Sequence, residues 1–196
     1  MSVLPTSERD DFLETELARG FTIREYLKAK ASSPPRQRQI AQAIKRRFVD
    51  RYLDPIQANP NGFTMMAVSC LMIEALESFN QGLVSTTGIS QRAFQNFFDR
   101  VESFAEFRTV CPEFYSHVRC GILHQAETTA GWRIRRDGPL FNQPRVTINA
   151  KAFVEALQAE LHHFCDELEE LPWDGPQWTC VRKKLDAIVE NSHRVS

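Results

Sequence analysis

Apolar residues recur at helical spacing along most of the chain. Between residues 35 and 58, for example, Ile40, Ile44, Phe48 and Tyr52 follow one another at intervals of four, which places them on one face of a helix. The same pattern predicts helices over residues 7–18, 22–31, 63–82, 90–100, 112–127, 150–171 and 177–191, with a further short turn over 104–109. Gly20 and the segments SSPP, NPNG, VSTTG and PWDGP separate them.

The stretch from Phe63 to Gly82 is the most apolar of these helices. Apolar residues surround nearly its whole circumference, so we expect it to be the central buried helix of a bundle. Glu74, Glu77 and Ser78 are its polar exceptions. Since no eighteen apolar residues run together and the chain does not start with a basic and then apolar leader, we expect no membrane segment, no secretory signal and a cytoplasmic location.

The helical pattern changes between residues 131 and 149. Two short runs, 132–135 and 145–148, carry β-type residues around the turn sequences RDGP and NQP. We therefore predict an all-α fold, a helical bundle with one small inserted β-hairpin at about 131–149. Residues 1–60 are expected to form an N-terminal helical extension that packs on the bundle, and residues 61–196 the main helical domain.

Composition excludes some classes of function. Apolar residues make up 42% of the chain and charged residues 25%, with a net charge of −1, so the protein is globular and carries no overall positive charge for nucleic acid. The five cysteines lack zinc-site spacing, which favours reduced thiols. His162, His163 and Cys165 look metal-like, but no further ligand is spaced to complete a site, and we expect neither metal nor cofactor.

The predicted helix 112–127 carries the candidate chemistry. Phe114, Val118 and Ile122 form its apolar line, and Gly121, which costs about 1 kcal/mol relative to alanine in a helix interior, indicates close approach of another backbone. On an ideal helix Arg119 and His124 lie about 140° apart. Within one copy the two side chains therefore point apart. Two copies meeting near Gly121 across a two-fold axis would bring the arginine and the histidine of both copies into one cleft.

The run Arg119-Cys-Gly-Ile-Leu-His124 resembles the Arg-x4-6-His motif of the HEPN superfamily, the small helical domains of prokaryotic toxin–antitoxin, abortive-infection and CRISPR-associated systems. The resemblance implies a dimeric, metal-independent endoribonuclease with a composite site at the dimer interface and 2′,3′-cyclic phosphate products. It implies that His124 transfers protons and Arg119 clamps phosphate. Cys120 stands where the family usually has a polar residue. An antitoxin or defence-system protein is a candidate partner.

Several neighbours of the motif are candidate supporting residues. Glu74 would be costly to bury unpaired, so it either contacts Arg119 of its own or a second subunit or emerges at the helix end. His117 is a second polar group for the cleft or a surface histidine. Tyr115 either packs or contacts substrate, and Glu127 either orients the imidazole of His124 or is solvated.

The predicted hairpin carries the strongest local basic feature, formed by Arg133, Arg135 and Arg136 beside Trp132. Positive charge next to aromatic rings is typical of single-stranded RNA binding. A charged edge that prevents strand pairing explains the same residues. Two wider alternatives also stay open: a non-catalytic HEPN-like module that binds a protein or a nucleotide through the same face, and an unrelated helical scaffold in which the motif is a coincidence.

Overall fold

The protein is mostly helical with two small sheets. A computed structural model describes residues 6–57 and 61–193, with only the backbone for residues 6–9. The elements are α1 Thr6–Leu13, β1 Glu16–Ala18, β2 Phe21–Thr22, α2 Ile23–Ala31, α3 Gln37–Phe48, α4 Asp54–Gln57, α5 Gly62–Gln81, α6 Ser90–Arg100, α7 Cys111–Glu113, α8 Cys120–Gln125, β3 Arg133–Arg135, β4 Phe141–Asn142, β5 Thr147–Asn149, α9 Ala150–Glu170 and α10 Pro176–His193. A π-helical turn, Val49–Leu53, joins α3 to α4, and a 3-10 segment, Glu102–Val110, follows α6.

Helix α5 is the centre of the bundle, as predicted. The side chain of Asn61 accepts hydrogen bonds from the first backbone amides, and Gly82, with a φ of 63°, ends the helix. Helices α6, α9 and α10 pack against it. Its length and composition are those of a membrane-crossing helix, but 56% of the apolar window is buried inside the protein, as in a core helix. One face stays open, where Leu71 is 44% exposed.

The predicted helix 7–18 is wrong in its second half. Helix α1 ends at Leu13, and β1 pairs antiparallel with β2. The turn between them needs Gly20, whose φ is 67°, a conformation that glycine adopts without strain. Because Leu17 and Phe21 are both buried, this turn lets two apolar side chains reach the core.

The rest of the predicted extension packs on the bundle. Thr22 and Glu25 form a reciprocal capping box at the start of α2, and α3 packs along α9. Side chains of α2 and α3 belong to the same hydrophobic core as α5 and α9. The predicted helix end at residue 58 and the first half of the NPNG break lie outside the described residues.

The two predicted strand runs exist, but they pair in parallel, and the antiparallel hairpin of this insert is formed by β4 and β5. The sheet order is β3-β5-β4, with β3 parallel to β5 and β4 antiparallel to β5. Asn149 ends β5 and caps α9, accepting from the amides of Lys151 and Ala152. The sheet is therefore joined directly to the longest helix.

A cluster of aromatic rings holds together the sheet, α6, the 3-10 segment, Phe114 and α9. Phe114 and Phe153 stack with centroids 5.9 Å apart, and Phe107 stacks on Phe141 at 4.8 Å. Such pairs contribute about 0.5–1.5 kcal/mol each beyond the area they bury. The remaining rings of this cluster are Phe94, Phe97, Phe98, Phe104 and Trp132.

Candidate functional site

The motif segment is not one regular helix. Helix α7 passes into a π-helical turn, Phe114–Arg119, and then into α8. The predicted apolar line is confirmed, because Phe114, Val118 and Ile122 are buried. Helix α8 ends at Gln125, two residues before the predicted end, where Ala126 takes a left-handed conformation. Turns of π-helix are rare in proteins, and those that do occur often lie at functional sites.

Arg119 turns inward onto Glu74 of α5. Its Nε and Nη2 lie 2.9 and 2.7 Å from Oε1 of Glu74, and the hydroxyl of Thr86 donates to the second carboxylate oxygen at 3.3 Å. The two charged side chains are only 16% and 11% exposed. Burial opposes the charge on Arg119, but the hydrogen bond and the negative charge of Glu74 outweigh it, so the pKa of Arg119 is raised. The predicted contact between Glu74 and Arg119 is confirmed, within one chain.

Tyr115 and Cys120 surround this ion pair. The guanidinium of Arg119 lies 5.4 Å from the centroid of the Tyr115 ring, a cation–π contact that fixes the plane of the arginine. Burial raises the pKa of the Tyr115 hydroxyl, which hydrogen-bonds to Ser90. Cys120 is half-buried beside Arg119. Of the two alternatives for Tyr115, the packing role is the one observed.

His124 diverges from Arg119, as the helical spacing predicts. It lies exposed on the last turn of α8. Among residues 6–57 and 61–193, no hydrogen bond or ion pair engages its ring. The two motif residues therefore do not meet within one chain, since one is held in the interior and the other faces solvent.

His117 and Glu127 belong to the loop after α8. Nδ1 of His117 lies 2.9 Å from the hydroxyl of Thr129, and the amide of Thr129 donates to the carbonyl of His117 at 3.0 Å. His117 is half-buried and anchors this loop, a role that the sequence did not indicate. The side chain of Glu127 is exposed, and nothing links it to His124.

Gly121 is required by its own chain. A Cβ atom at this position would lie 2.5 Å from the carbonyl oxygen of Glu127, and the amide of Glu127 donates back to the carbonyl of Gly121 at 3.3 Å. The expected close backbone approach is present, but it comes from the loop after α8 and not from a second copy.

Replacing Gly121 by alanine should lower the free energy of unfolding by about 1–3 kcal/mol, because a methyl group cannot share space with a backbone carbonyl. Urea denaturation followed by circular dichroism measures this. Ser116→Ala, at an exposed position of the same segment, is the control and should stay within about 0.5 kcal/mol of the parent protein. Equal stability of the two variants would contradict the steric role of Gly121.

A groove of about 1030 Å³ runs beside the end of α8. Ala126, Glu127 and Thr128 form one wall, and Phe63, Met65 and Ile134 form apolar patches. Arg135, Arg136 and Lys151 supply positive charge, and Asp137 lines it as well. Arg133 is exposed on the same strand. The groove thus brings two of the three predicted RNA-binding arginines to the helix that carries His124.

The predicted stacking role of Trp132 is wrong. Its ring is 6% exposed and stacks on Phe141, with centroids 5.4 Å apart. It packs edge-on against Phe114 as well. Alternation along the strand places Trp132 on the same side as Ile134 and opposite Arg133 and Arg135, so its ring joins the aromatic core.

Comparison with protein-family models, with curated proteins and with solved structures finds no match for this chain. Among residues 6–57 and 61–193, no group of three or more His, Cys, Asp or Glu side chains is arranged to hold a metal ion.

A second buried charge cluster, which the sequence patterns did not predict, joins α5, α6 and α9. Arg100 donates to Glu160 and, at 3.1 Å, to Oε2 of Glu77. Glu77 and Glu160 are 1% and 8% exposed. The signal available in the sequence was Glu77, a second acidic residue inside the most apolar helix, which demands a buried cation.

Proposed function

We propose that the chain is a HEPN-like, metal-independent endoribonuclease that works as a homodimer. Arg119 and His124 of the two copies would meet in one composite site. In this proposal the protein acts in the cytoplasm as part of a prokaryotic defence or toxin-type module, with an antitoxin or defence-system protein as partner.

The position of His124 carries the proposal. Its ring is exposed and unengaged within the described chain, and the next residues, Ala126 to Thr128, line a groove that Arg135, Arg136 and Lys151 make basic. A histidine titrates near neutral pH and can take or deliver a proton. Arginine and lysine neutralise phosphates along a single strand. Proton transfer and RNA binding are therefore adjacent on one surface.

The orientation of Arg119 suits the role of a phosphate clamp. Both of its contacts with Glu74 use the single oxygen Oε1, through Nε and Nη2, so the Nη1 group is not committed to this carboxylate. Tyr115 and Glu74 together fix the plane of the guanidinium. A preorganised donor of this kind stabilises charge that develops at phosphorus without reorganisation.

The reaction that fits these groups needs no external nucleophile. The 2′-oxygen of RNA attacks the adjacent phosphorus while a base removes its proton, and the bond from phosphorus to the 5′-oxygen breaks as that oxygen receives a proton. His124 of either copy serves as base or acid. The products are a 2′,3′-cyclic phosphate and a 5′-hydroxyl.

An apolar face next to the motif supports the dimer. Leu71 of α5 is 44% exposed and Leu123 of α8 is 39% exposed. Both lie on the helices that carry Glu74 and His124. Because less than half of each side chain is still exposed, its burial in a self-complementary interface would contribute about 1 kcal/mol.

Mixed dimers test the composite site directly. Single-stranded RNA is incubated with the protein in EDTA, and product ends are identified by mass spectrometry. We expect cyclic phosphates from the wild type and little cutting by Arg119→Lys or His124→Ala alone. Purified mixed dimers of these two variants should recover about half of the wild-type rate, because one of two Arg–His pairs is intact. Absence of RNA cleavage by the wild type would overturn the ribonuclease, and inactive mixed dimers would overturn the shared site.

One observation favours a second function, a non-catalytic module that uses the same face for a protein or nucleotide partner. Arg119 is already neutralised by Glu74, and Cys120 takes the usual polar position of the motif. In that case the wild type would dimerise or bind its partner but leave RNA intact in the same assay.

A further inference from the structure

A cavity of about 370 Å³ borders Glu74, and residues of α3, α5 and α10 line it. Its polar lining includes Arg47, Tyr52 and Lys184, and Phe48, Phe79 and Ile188 contribute apolar wall. Glu74 and Leu71 also line it and belong to the proposed ribonuclease site and dimer face, whereas the residues just named do not. Its size is within the range of pockets that hold small molecules.

Two cations line this cavity without a carboxylate partner. Arg47 donates to the backbone carbonyl of Leu17, and the ammonium of Lys184 donates to the carbonyl of Val84 at 3.1 Å. Within residues 6–57 and 61–193, neither side chain forms an ion pair. Among the residues lining the cavity, the acidic one is Glu74, and its two oxygens are engaged by Arg119 and Thr86.

The protein holds both charges at a cost. Burial, together with the nearby charge of Arg51, lowers the pKa of Arg47 to about 10. Burial also lowers the pKa of Lys184, and the positive charge of Arg47 adds to the effect. Half-buried cations that repel each other are stabilised when an anion enters between them.

The lining indicates the chemical class of that anion. Two positive charges match a dianion, since a monocarboxylate would neutralise only one of them. A guanidinium and an ammonium together are a common phosphate-binding pair. The ring of Tyr52, 5.5 Å from that of Phe48, and the side chains of Phe79 and Ile188 offer apolar contact to whatever carries the charge. We propose that this cavity binds a small phosphate monoester with an apolar or aromatic substituent.

Calorimetric titration of the full chain at pH 7.5 and fixed ionic strength tests the ligand class. Three probes are compared: phenyl phosphate, inorganic phosphate and benzoate. We expect phenyl phosphate to bind at least about tenfold more tightly than inorganic phosphate, because its ring is buried. It should also bind at least about tenfold more tightly than benzoate, because benzoate makes fewer charge-assisted hydrogen bonds. No binding of phenyl phosphate at millimolar concentration would overturn the proposal, and so would equal affinity for benzoate.

Substitution of two neighbouring lysines of α10 tests whether the ligand binds in this cavity. Lys184→Gln should weaken phenyl phosphate binding at least about tenfold, whereas Lys183→Gln, at an exposed position, should change it less than about twofold. In chloride without phosphate, the melting temperature of Lys184→Gln should not fall, because the change removes an unpaired charge. Equal losses of affinity in the two variants would mean that phenyl phosphate binds through general surface charge, and would overturn the proposed site. The probe series on the wild type decides the ligand class even if a variant fails to fold, and neither measurement depends on RNA cleavage.

Discussion

Replacing Arg100 by methionine should lower the free energy of unfolding by about 3 kcal/mol, because it leaves two buried carboxylates without their cation. Glu77 on α5 and Glu160 on α9 are almost fully buried, and Arg100 on α6 bridges them. Methionine keeps much of the side-chain volume, so loss of packing contributes little. The effect would be large because the three helices that meet here form the centre of the bundle.

Urea denaturation gives the size of this effect, and Arg38→Met is its control. Arg38 also pairs with a glutamate, Glu169, but its side chain is 74% exposed, and such pairs contribute about 0–1 kcal/mol. Adding Glu77→Gln and Glu160→Gln to Arg100→Met should recover part of the loss, because neutral amides cost less to bury than unpaired carboxylates. If Arg100→Met were no less stable than Arg38→Met, the cluster would not hold the helices together.

His124→Ala should lower the rate of RNA cleavage by about 10²–10⁴-fold, the contribution of a positioned general acid or base. The exposed ring is unengaged within the described residues, so the free energy of unfolding should change by less than about 0.5 kcal/mol. Cleavage of a labelled single-stranded RNA in EDTA, with circular dichroism on the same sample, separates a catalytic loss from a folding loss.

His163→Ala is the matched control for this measurement. His163 is another exposed histidine, 66% accessible on α9, 3.6 Å from Glu167, and it lies outside the motif. Its removal should leave cleavage unchanged. Cleavage by His124→Ala at the rate of the His163→Ala protein would remove the imidazole from the mechanism.

The helices could be predicted where periodicity and end residues agree. Helix α5 starts after Asn61 and ends before Gly82, and α9 starts after Asn149, so apolar spacing and local hydrogen bonding point to the same boundaries. The helix predicted over 7–18 was wrong because β1 depends on a turn at Gly20 and on burial in the core. The parallel pairing of β3 with β5 was missed because strand pairing is not encoded within either strand.

The candidate site could likewise be predicted only in part from the sequence. An acidic residue in an apolar helix demands a cation, and this reasoning found the pair Glu74–Arg119 but was not applied to Glu77. Gly121 indicated a close contact without identifying Glu127 as its partner, since the path of a loop after a helix is set by tertiary contacts. Trp132 was assigned to RNA binding because it lies beside the arginines, although strand alternation places it on the side opposite Arg133 and Arg135, in the aromatic core.

The strand order β3-β5-β4 has a consequence for how the chain folds. Strands β4 and β5 are separated by four residues and can pair early, because closing a short loop costs little entropy. Strand β3 pairs with β5 across a longer connection, and closing that connection costs more entropy. The arginines of β3 would therefore take their final positions late, as α9 docks, and the basic groove would mature after the helical core.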